Sequence, residues 1–90
     1  MSLDGLELEW QEKEDGLVLE LSLKNFNEVV KVVNEIAKVS ENLDHHPDLR
    51  IFSYKKLEIV IFTHEEDAIT EKDYKLASEI EKVLNKYSLF

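Results

Sequence analysis

The stretch that decides the fold spans residues 41–64 and reads ENLDHHPDLRIFSYKKLEIVIFTH. It holds all three histidines and the only proline of the 90-residue chain. Because Pro47 disfavours α geometry at the preceding residue, a helix that enters this stretch must end before His46. Two runs of alternating side chains follow, at 49–54 and 57–62, and each has the two-residue period of a β-strand. The stretch therefore predicts the end of a helix and then two strands, joined by a short turn at residues 54–56.

Upstream of this stretch, the chain predicts a hairpin and a long helix. Residues 6–11 and 17–24 alternate apolar and polar side chains, and an Asp-Gly turn signal stands between them at 15–16. They predict two antiparallel strands. Asn25 is a favoured N-cap residue, and an apolar period of 3.6 residues begins after it, which predicts a helix over 26–43. The predicted apolar face of that helix comprises Phe26, Val29, Val30, Val33, Ile36 and Ala37.

Downstream, the run at 57–62 is apolar on both faces, as expected for a strand in the centre of a sheet. A second helix is predicted to begin at Thr70, with Asp73 at the position of a capping box. Its apolar face comprises Tyr74, Ala77, Ile80, Val83, Leu84 and Tyr87. The order strand-strand-helix-strand-strand-helix predicts an α+β fold, a two-layer sandwich with helices packed on one face of a four-stranded antiparallel sheet. Residues 1–90 are expected to form a single domain.

Composition narrows the classes of function. The chain carries 20 acidic and 11 basic residues, for a net charge of -9, so we expect no direct binding to nucleic acid. It lacks cysteine, and no apolar run approaches the ~20 residues that span a bilayer. No signal peptide is visible, which predicts a cytoplasmic protein without membrane contact. Because a domain this small buries a modest core, self-association into a homo-oligomer is expected.

The placement of the histidines points to a site. His45 and His46 follow the first helix, and His64 follows the fourth strand. In a two-layer fold a helix C-terminus and a strand end can meet at one edge of the sheet, where three imidazoles would line one cleft. Histidine exchanges protons near neutral pH, so such a cleft is suited to acid–base chemistry. The alternative is that these histidines simply occupy surface loops.

Two further alternatives concern the groups around the histidines. Three histidines with an open position would suit catalytic zinc, but adjacent residues in extended chain point apart, and the HExxH spacing is absent. We therefore expect no metal. Asp73 at a helix start can serve as a cap without any chemistry, and that role is compatible with a functional one. Residues 65–67 are most simply an acidic, solvated loop.

The motifs resemble those of the pterin-4a-carbinolamine dehydratases. That family shows E-x-x-x-H-H-P, a tyrosine in the next strand, a strand that ends in T-H, and a helix start of the form [GA]-[LI]-[ST]-x-x-D. The chain matches these motifs without a gap across residues 41–77, while the N-terminal half is matched only by pattern. It departs from many members at three positions, which are Leu49 for an aromatic residue, Lys55 for asparagine and Ala68 for glycine.

The resemblance implies a dehydratase that eliminates water from 4a-hydroxytetrahydropterin to give quinonoid dihydropterin. Such an enzyme recycles the cofactor of aromatic amino-acid hydroxylases and needs no cofactor of its own. It implies that His45 and His64 are the acid–base pair, with the assignment of acid and base left open. His46 joins them in catalysis and orients the pterin. The resemblance further implies that substrate is bound by Pro47, Thr63, Glu41 and Asp44. The carboxylates of Glu41 and Asp44 would also orient the imidazoles. Asp73 would support His64.

The resemblance also leaves other functions open. Some relatives bind a homeodomain transcription factor as a dimerisation cofactor, which would use a helical face and no catalysis. A pterin-binding or molybdopterin-linked accessory protein with little turnover is a further possibility. The family forms dimers or tetramers, and the same is expected of this chain.

Overall fold

The computed structural model describes residues 3–89 as one sheet covered by two helices. A short 3-10 helix at Leu3–Gly5 precedes them. The strands and helices in chain order are β1 (Gln11–Lys13), β2 (Gly16–Ser22), α1 (Phe26–Leu43), β3 (Asp48–Phe52), β4 (Lys56–Ile61) and α2 (Glu71–Leu84). The predicted order of elements is confirmed, and the bounds of α1 match the prediction.

The sheet has the strand order β1-β2-β4-β3, and every neighbouring pair is antiparallel. The predicted central place of the fourth strand is confirmed, because β4 pairs with β2 on one side and with β3 on the other. Its inward side chains Leu57, Ile59 and Ile61 are fully buried beneath the helices. The α+β fold with both helices on one face of an antiparallel sheet is confirmed.

The first predicted strand is corrected. Residues 6–10 do not pair with the sheet, and β1 begins only at Gln11. The N–H groups of Glu7 and Leu8 instead donate to the buried carboxylate of Glu81, at 3.0 and 2.8 Å. The indole of Trp10 donates to the same carboxylate at 2.9 Å. The alternation of apolar and polar residues does match the burial of these side chains. The backbone N–H groups, however, are hydrogen-bonded to a side chain of α2 and not to a neighbouring strand.

The buried face of α1 also differs from the prediction. The buried residues are Val29, Val32, Ile36 and Ser40. Phe26 is 49% exposed and Val30 is 37% exposed, although the sequence predicts that both face the core. The sequence carries two pairs of adjacent valines, so the apolar period alone does not fix which member of each pair points inward. The N-cap is confirmed, since the Glu28 N–H donates to Asn25 Oδ1 at 2.9 Å.

The turn between β3 and β4 lies one residue earlier than predicted, at 53–55. Ser53 and Tyr54 both have positive φ, at 48° and 50°. Such paired left-handed residues give a tight hairpin turn that follows the twist of the strands. Neither of the two helices within residues 3–89 is long and apolar enough to cross a membrane.

Candidate functional site

The end of α1 places the adjacent histidines. Asp44 adopts a left-handed conformation, with φ 51° and ψ 42°, which short polar side chains tolerate. The N–H of His45 then donates to the carbonyl of Ser40 at 3.1 Å. This bond satisfies a carbonyl of the last helical turn and reverses the chain. As a result, His45 and His46 leave the helix toward the edge of the sheet where β4 ends.

A buried carboxylate at the start of α2 holds His45. Thr70 caps the helix, and its N–H donates to Asp73 Oδ2 at 2.7 Å in a capping box. The other oxygen, Oδ1, lies 2.6 Å from Nε2 of His45. Asp73 is fully buried, and the side chain of His45 is 11% exposed. Because the carboxylate fixes the ring nitrogen that faces it, the imidazole has one orientation and offers its other nitrogen for chemistry.

Thr63 supports this carboxylate from the end of β4. Its hydroxyl donates to Asp73 Oδ2 at 2.8 Å, and the hydroxyl of Thr70 lies 2.7 Å from it. Thr63 is fully buried. The sequence predicts that it lines the substrate site, but it is not among the residues that line the cleft shared by the histidines. Thr63 is therefore placed to act through Asp73.

The three histidines share one cleft. This open cleft has a volume of about 170 Å³. Its lining residues come from the end of α1, the end of β4 and the loop that follows, and they are Asp44, His45, His46, Phe62, His64 and Glu65. The structure thus brings together every histidine of the chain, along with one carboxylate, Asp44, of the predicted set.

The pair Glu41 and His46 lies at the rim of the site. Oε2 of Glu41 is hydrogen-bonded to Nε2 of His46. Both side chains are more than half exposed, so water screens the pair and its contribution to stability is small. Pro47 is half-buried and is not among the residues that line the cleft. Glu41 therefore reaches the cleft only through His46.

The predicted support of His64 by Asp73 is corrected. Both oxygens of Asp73 are engaged by His45, Thr63 and Thr70. His64 instead meets the ring of Phe62 edge-on, with ring centroids 5.2 Å apart and an interplanar angle of 71°. Thr63, two residues after the inward-facing Ile61, meets Asp73, and His64 lies in the turn that follows.

Phe62 and Glu65 line the cleft although the sequence motifs do not point to them. The strand period could have identified Phe62, because residues two apart share a face and His64 is a predicted site residue. Glu65 carries no such signal, since it lies in the loop after β4. Within residues 3–89, no group of three or more His, Cys, Asp and Glu side chains is arranged to hold a metal ion.

Solved structures of related fold were found. A protein from Brucella melitensis, described as a transcriptional coactivator/pterin dehydratase, superposes with a TM-score of 0.75 and 26% identity. The alignment covers 82% of this chain and 80% of that one. A pterin dehydratase-like protein, described as a RuBisCO assembly factor in the alpha-carboxysome, gives a TM-score of 0.66 at 15% identity. The alignment covers 86% of this chain and 88% of that one, and it shows the shared fold alone.

Comparisons of sequence identify relatives that are more similar to this chain. A protein of Aquifex aeolicus, assigned by name to the pterin-4-alpha-carbinolamine dehydratases, is 41% identical over 75 residues, which is 83% of this chain and 75% of the relative. A protein of Sulfolobus acidocaldarius with the same assignment is 36% identical over 74 residues, covering 82% and 80%. The family model described as pterin 4 alpha carbinolamine dehydratase matches residues 2–83. The chain therefore belongs to the pterin 4 alpha carbinolamine dehydratase family.

Proposed function

We propose that the protein is a dehydratase that converts 4a-hydroxytetrahydropterin to quinonoid dihydropterin and water. The observation that carries this proposal is the buried Asp73–His45 pair, whose imidazole lines the same cleft as His64. An oriented imidazole and a second imidazole in the same cleft can supply the base and the acid that catalyse a water elimination near neutral pH. The family supports the substrate class, and the geometry supports the acid–base roles.

The reaction needs one base and one acid. The base removes the proton on N5 of the pterin, and the electrons of that N–H bond form the C4a=N5 double bond. The C4a–O bond breaks at the same time, and the acid donates a proton to the departing oxygen, which leaves as water. The protein gains one proton at the base and loses one at the acid. Exchange with solvent restores both groups, and no electrons enter or leave.

His45 is the better base of the two. When Asp73 accepts the Nε2–H of His45, the lone pair lies on Nδ1, ready to take the N5 proton. The carboxylate also stabilises the imidazolium that forms. His64 is exposed at the opening, where it exchanges protons with water and can act as the acid toward the hydroxyl at C4a. Each proton transfer of this kind contributes roughly 10²–10⁴-fold to the rate.

The other cleft residues bind and orient the ring. The carboxylate of Asp44 offers two acceptor oxygens, which match the adjacent N–H groups on the aminopyrimidine edge of a pterin. Phe62 gives the cleft an apolar wall. His46 would orient the ring at the rim, with Glu41 holding its imidazole. Pro47 stiffens the chain just after His46, and Thr63 acts by positioning Asp73.

A stopped-flow absorbance assay of 4a-hydroxytetrahydropterin dehydration tests the proposal. Wild type should accelerate the reaction above its spontaneous rate, and His45→Ala and His64→Ala should each lose roughly 10²-fold or more. Glu66→Gln, in the same acidic loop but outside the cleft lining, is the matched control and should keep the wild-type rate. Near wild-type rates in both histidine variants, with circular dichroism showing intact folds, would overturn the assignment.

A second candidate is an interaction role without turnover. The specific observation in its favour is the outer face of α1, where Phe26 and Val30 are exposed. The Brucella melitensis protein of similar fold is described as a transcriptional coactivator as well as a pterin dehydratase. Phe26→Ser would weaken self-association or partner binding, read by light scattering, and leave dehydration unchanged. Pterin binding by a wild type that fails to accelerate dehydration would favour this role, or an accessory one, over the enzyme.

A further inference from the structure

A groove beside the histidine cleft runs between the end of α1 and the first turns of α2. It has a volume of about 200 Å³ and is lined by Leu43, Asp44, His45, Lys72 and Lys75. Asp44 and His45 also line the histidine cleft, so the two spaces adjoin. A part of a ligand that extends past His45 can therefore enter this groove.

The proposed chemistry at His45 indicates which part of the substrate lies next to the groove. The base takes the proton of N5, and N5 is bonded directly to C6, the ring carbon that carries the side chain of natural pterins. A ring placed with N5 against His45 therefore projects its C6 side chain past the same imidazole. The histidine cleft, at about 170 Å³, is smaller than the roughly 300–1,000 Å³ of typical small-molecule sites, so we expect a pterin with a side chain to extend beyond it. The groove supplies the missing space.

The groove is locally cationic in a chain of net charge -9. Lys72 and Lys75 stand three residues apart on α2, so their side chains lie on the same side of the helix. Both are exposed, and they line the groove with the single carboxylate of Asp44. Two ammonium groups on one side of a helix can bind the same phosphate group through charge-assisted hydrogen bonds.

The cleft on the other side of the histidine site is acidic. A second cleft, which shares His64, is lined by Asp15, Asp48 and Glu58 together with one cation, Arg50. The Nε–H of Arg50 already donates to Glu58 at 3.1 Å. A phosphate would be repelled there, so the two sides of the histidine cleft discriminate by charge.

We propose that the lysine groove binds the C6 side chain of the substrate and that it selects pterins whose side chain ends in phosphate over uncharged ones. This inference rests on the proposed function, because it uses the orientation of N5 toward His45. Lys72 and Lys75 are specificity-determining residues that touch the side chain and take no part in the proton transfers.

The test compares dihydroneopterin with dihydroneopterin monophosphate, which differ only in the phosphate. Binding is measured by quenching of pterin fluorescence at low and high salt. Wild type should bind the phosphate form roughly 5- to 20-fold more tightly at low salt, and the advantage should shrink at high salt. The double variant Lys72→Met, Lys75→Met should bind both compounds equally. Lys82→Met, on the same helix but paired with Glu79, should behave as wild type.

Turnover of a 4a-hydroxy-6-methyl-tetrahydropterin, which has no side chain to bind, separates this inference from the proposed function. Turnover by wild type and by the double lysine variant, with a phosphate preference lost only in the latter, supports both. Turnover without any phosphate preference overturns the groove and leaves the dehydratase. A lysine-dependent preference without turnover overturns the dehydratase and leaves the groove as a binding site. Equal or weaker binding of the phosphate form by wild type overturns the inference.

Discussion

Asp73 Oδ1 lies 2.6 Å from Nε2 of His45, while Oδ2 of the same carboxylate accepts the Thr70 N–H that caps α2. One buried group therefore begins a helix and orients an imidazole. The fold gains a capped helix, and the site gains a histidine whose ring is fixed before substrate arrives. A capping aspartate at this place is compatible with chemistry because its two oxygens serve different partners.

Replacing Asp73 by asparagine should separate the two roles. The amide can still accept the Thr70 N–H, so the cap loses about 1 kcal/mol or less. An amide cannot stabilise the imidazolium of His45 as a carboxylate does, so kcat should fall roughly 10²-fold or more while KM changes little. Stopped-flow dehydration and urea unfolding measure both effects. Glu71→Gln, in the same helical turn, is the control. If the Asp73→Asn variant unfolds more easily but keeps its kcat, Asp73 serves only as a helix cap.

The sequence predicts those parts of the site that depend on local features of the chain. The end of α1 before Pro47 and the end of β4 at Ile61 are local features, and they bring the histidines to one edge of the sheet. The partner of Asp73 is a matter of parity. Thr63 continues the inward series of Ile61, and His64 does not, so the carboxylate below meets Thr63 and His45. Counting by two from Ile61 would have predicted the contact of Asp73 with Thr63, but not its contact with His45.

The N-terminal segment is beyond the reach of local patterns. Residues 6–10 have the alternation of a strand, and only a carboxylate more than seventy positions away explains why they are not one. The helical period places Glu81 on the apolar face, between Ala77 and Leu84, but it does not show which backbone groups its carboxylate accepts from. The same holds for the paired valines of α1, where tertiary packing buries Val29 and Val32 and leaves Val30 exposed.

Glu81 should therefore matter for stability far more than a helical glutamate usually does. Glu81→Ala leaves the Glu7 and Leu8 N–H groups and the Trp10 indole without an acceptor, at a cost of about 2–4 kcal/mol. Urea unfolding gives the free energy, and a red shift of the Trp10 fluorescence reports release of the segment. Glu79→Ala, two residues earlier on the helix, should stay within about 0.5 kcal/mol of wild type. Equal effects of the two variants would contradict this account.

Gly16 is the second point where a small change should be costly. Its φ is +132°, and a Cβ there would lie 2.2 Å from the carbonyl oxygen of Ile61, at the end of β4. Gly16→Ala must distort the pairing of β2 with β4, and we expect a loss of about 3 kcal/mol or more in the free energy of unfolding. Gly5→Ala provides the comparison, since nothing lies within 4 Å of its added methyl. A Gly16→Ala variant as stable as Gly5→Ala would show that this strand end is more tolerant than its geometry indicates.

Glu35 gives the fold a dependence on acid pH. Hydrogen bonds from Lys86 and Tyr87, just after α2, hold the pKa of Glu35 below its ordinary value of 4.5. The ionised form is thus favoured in the folded state, so the stabilisation is complete above pH 4.5 and is lost as pH falls through the lowered folded-state pKa. The same contact raises the pKa of Tyr87, because the carboxylate favours the protonated phenol.

The comparison of wild type with Glu35→Gln should show this sign directly. At neutral pH the variant should unfold at lower urea concentration than wild type, because the amide carries no charge to attract the Lys86 ammonium. The difference in stability between wild type and variant should decrease as pH falls through the acid range. It should vanish where Glu35 of wild type is protonated in both the folded and the unfolded state. Added salt at neutral pH should also reduce the difference in stability, since the Lys86 ammonium is exposed. Glu79→Gln, whose ion pair with Lys82 lies within one helix, is the control and should show a much smaller pH dependence. A gap between wild type and Glu35→Gln that stays constant from neutral to acid pH would mean that packing, and not the charge of Glu35, joins the C-terminal residues to α1.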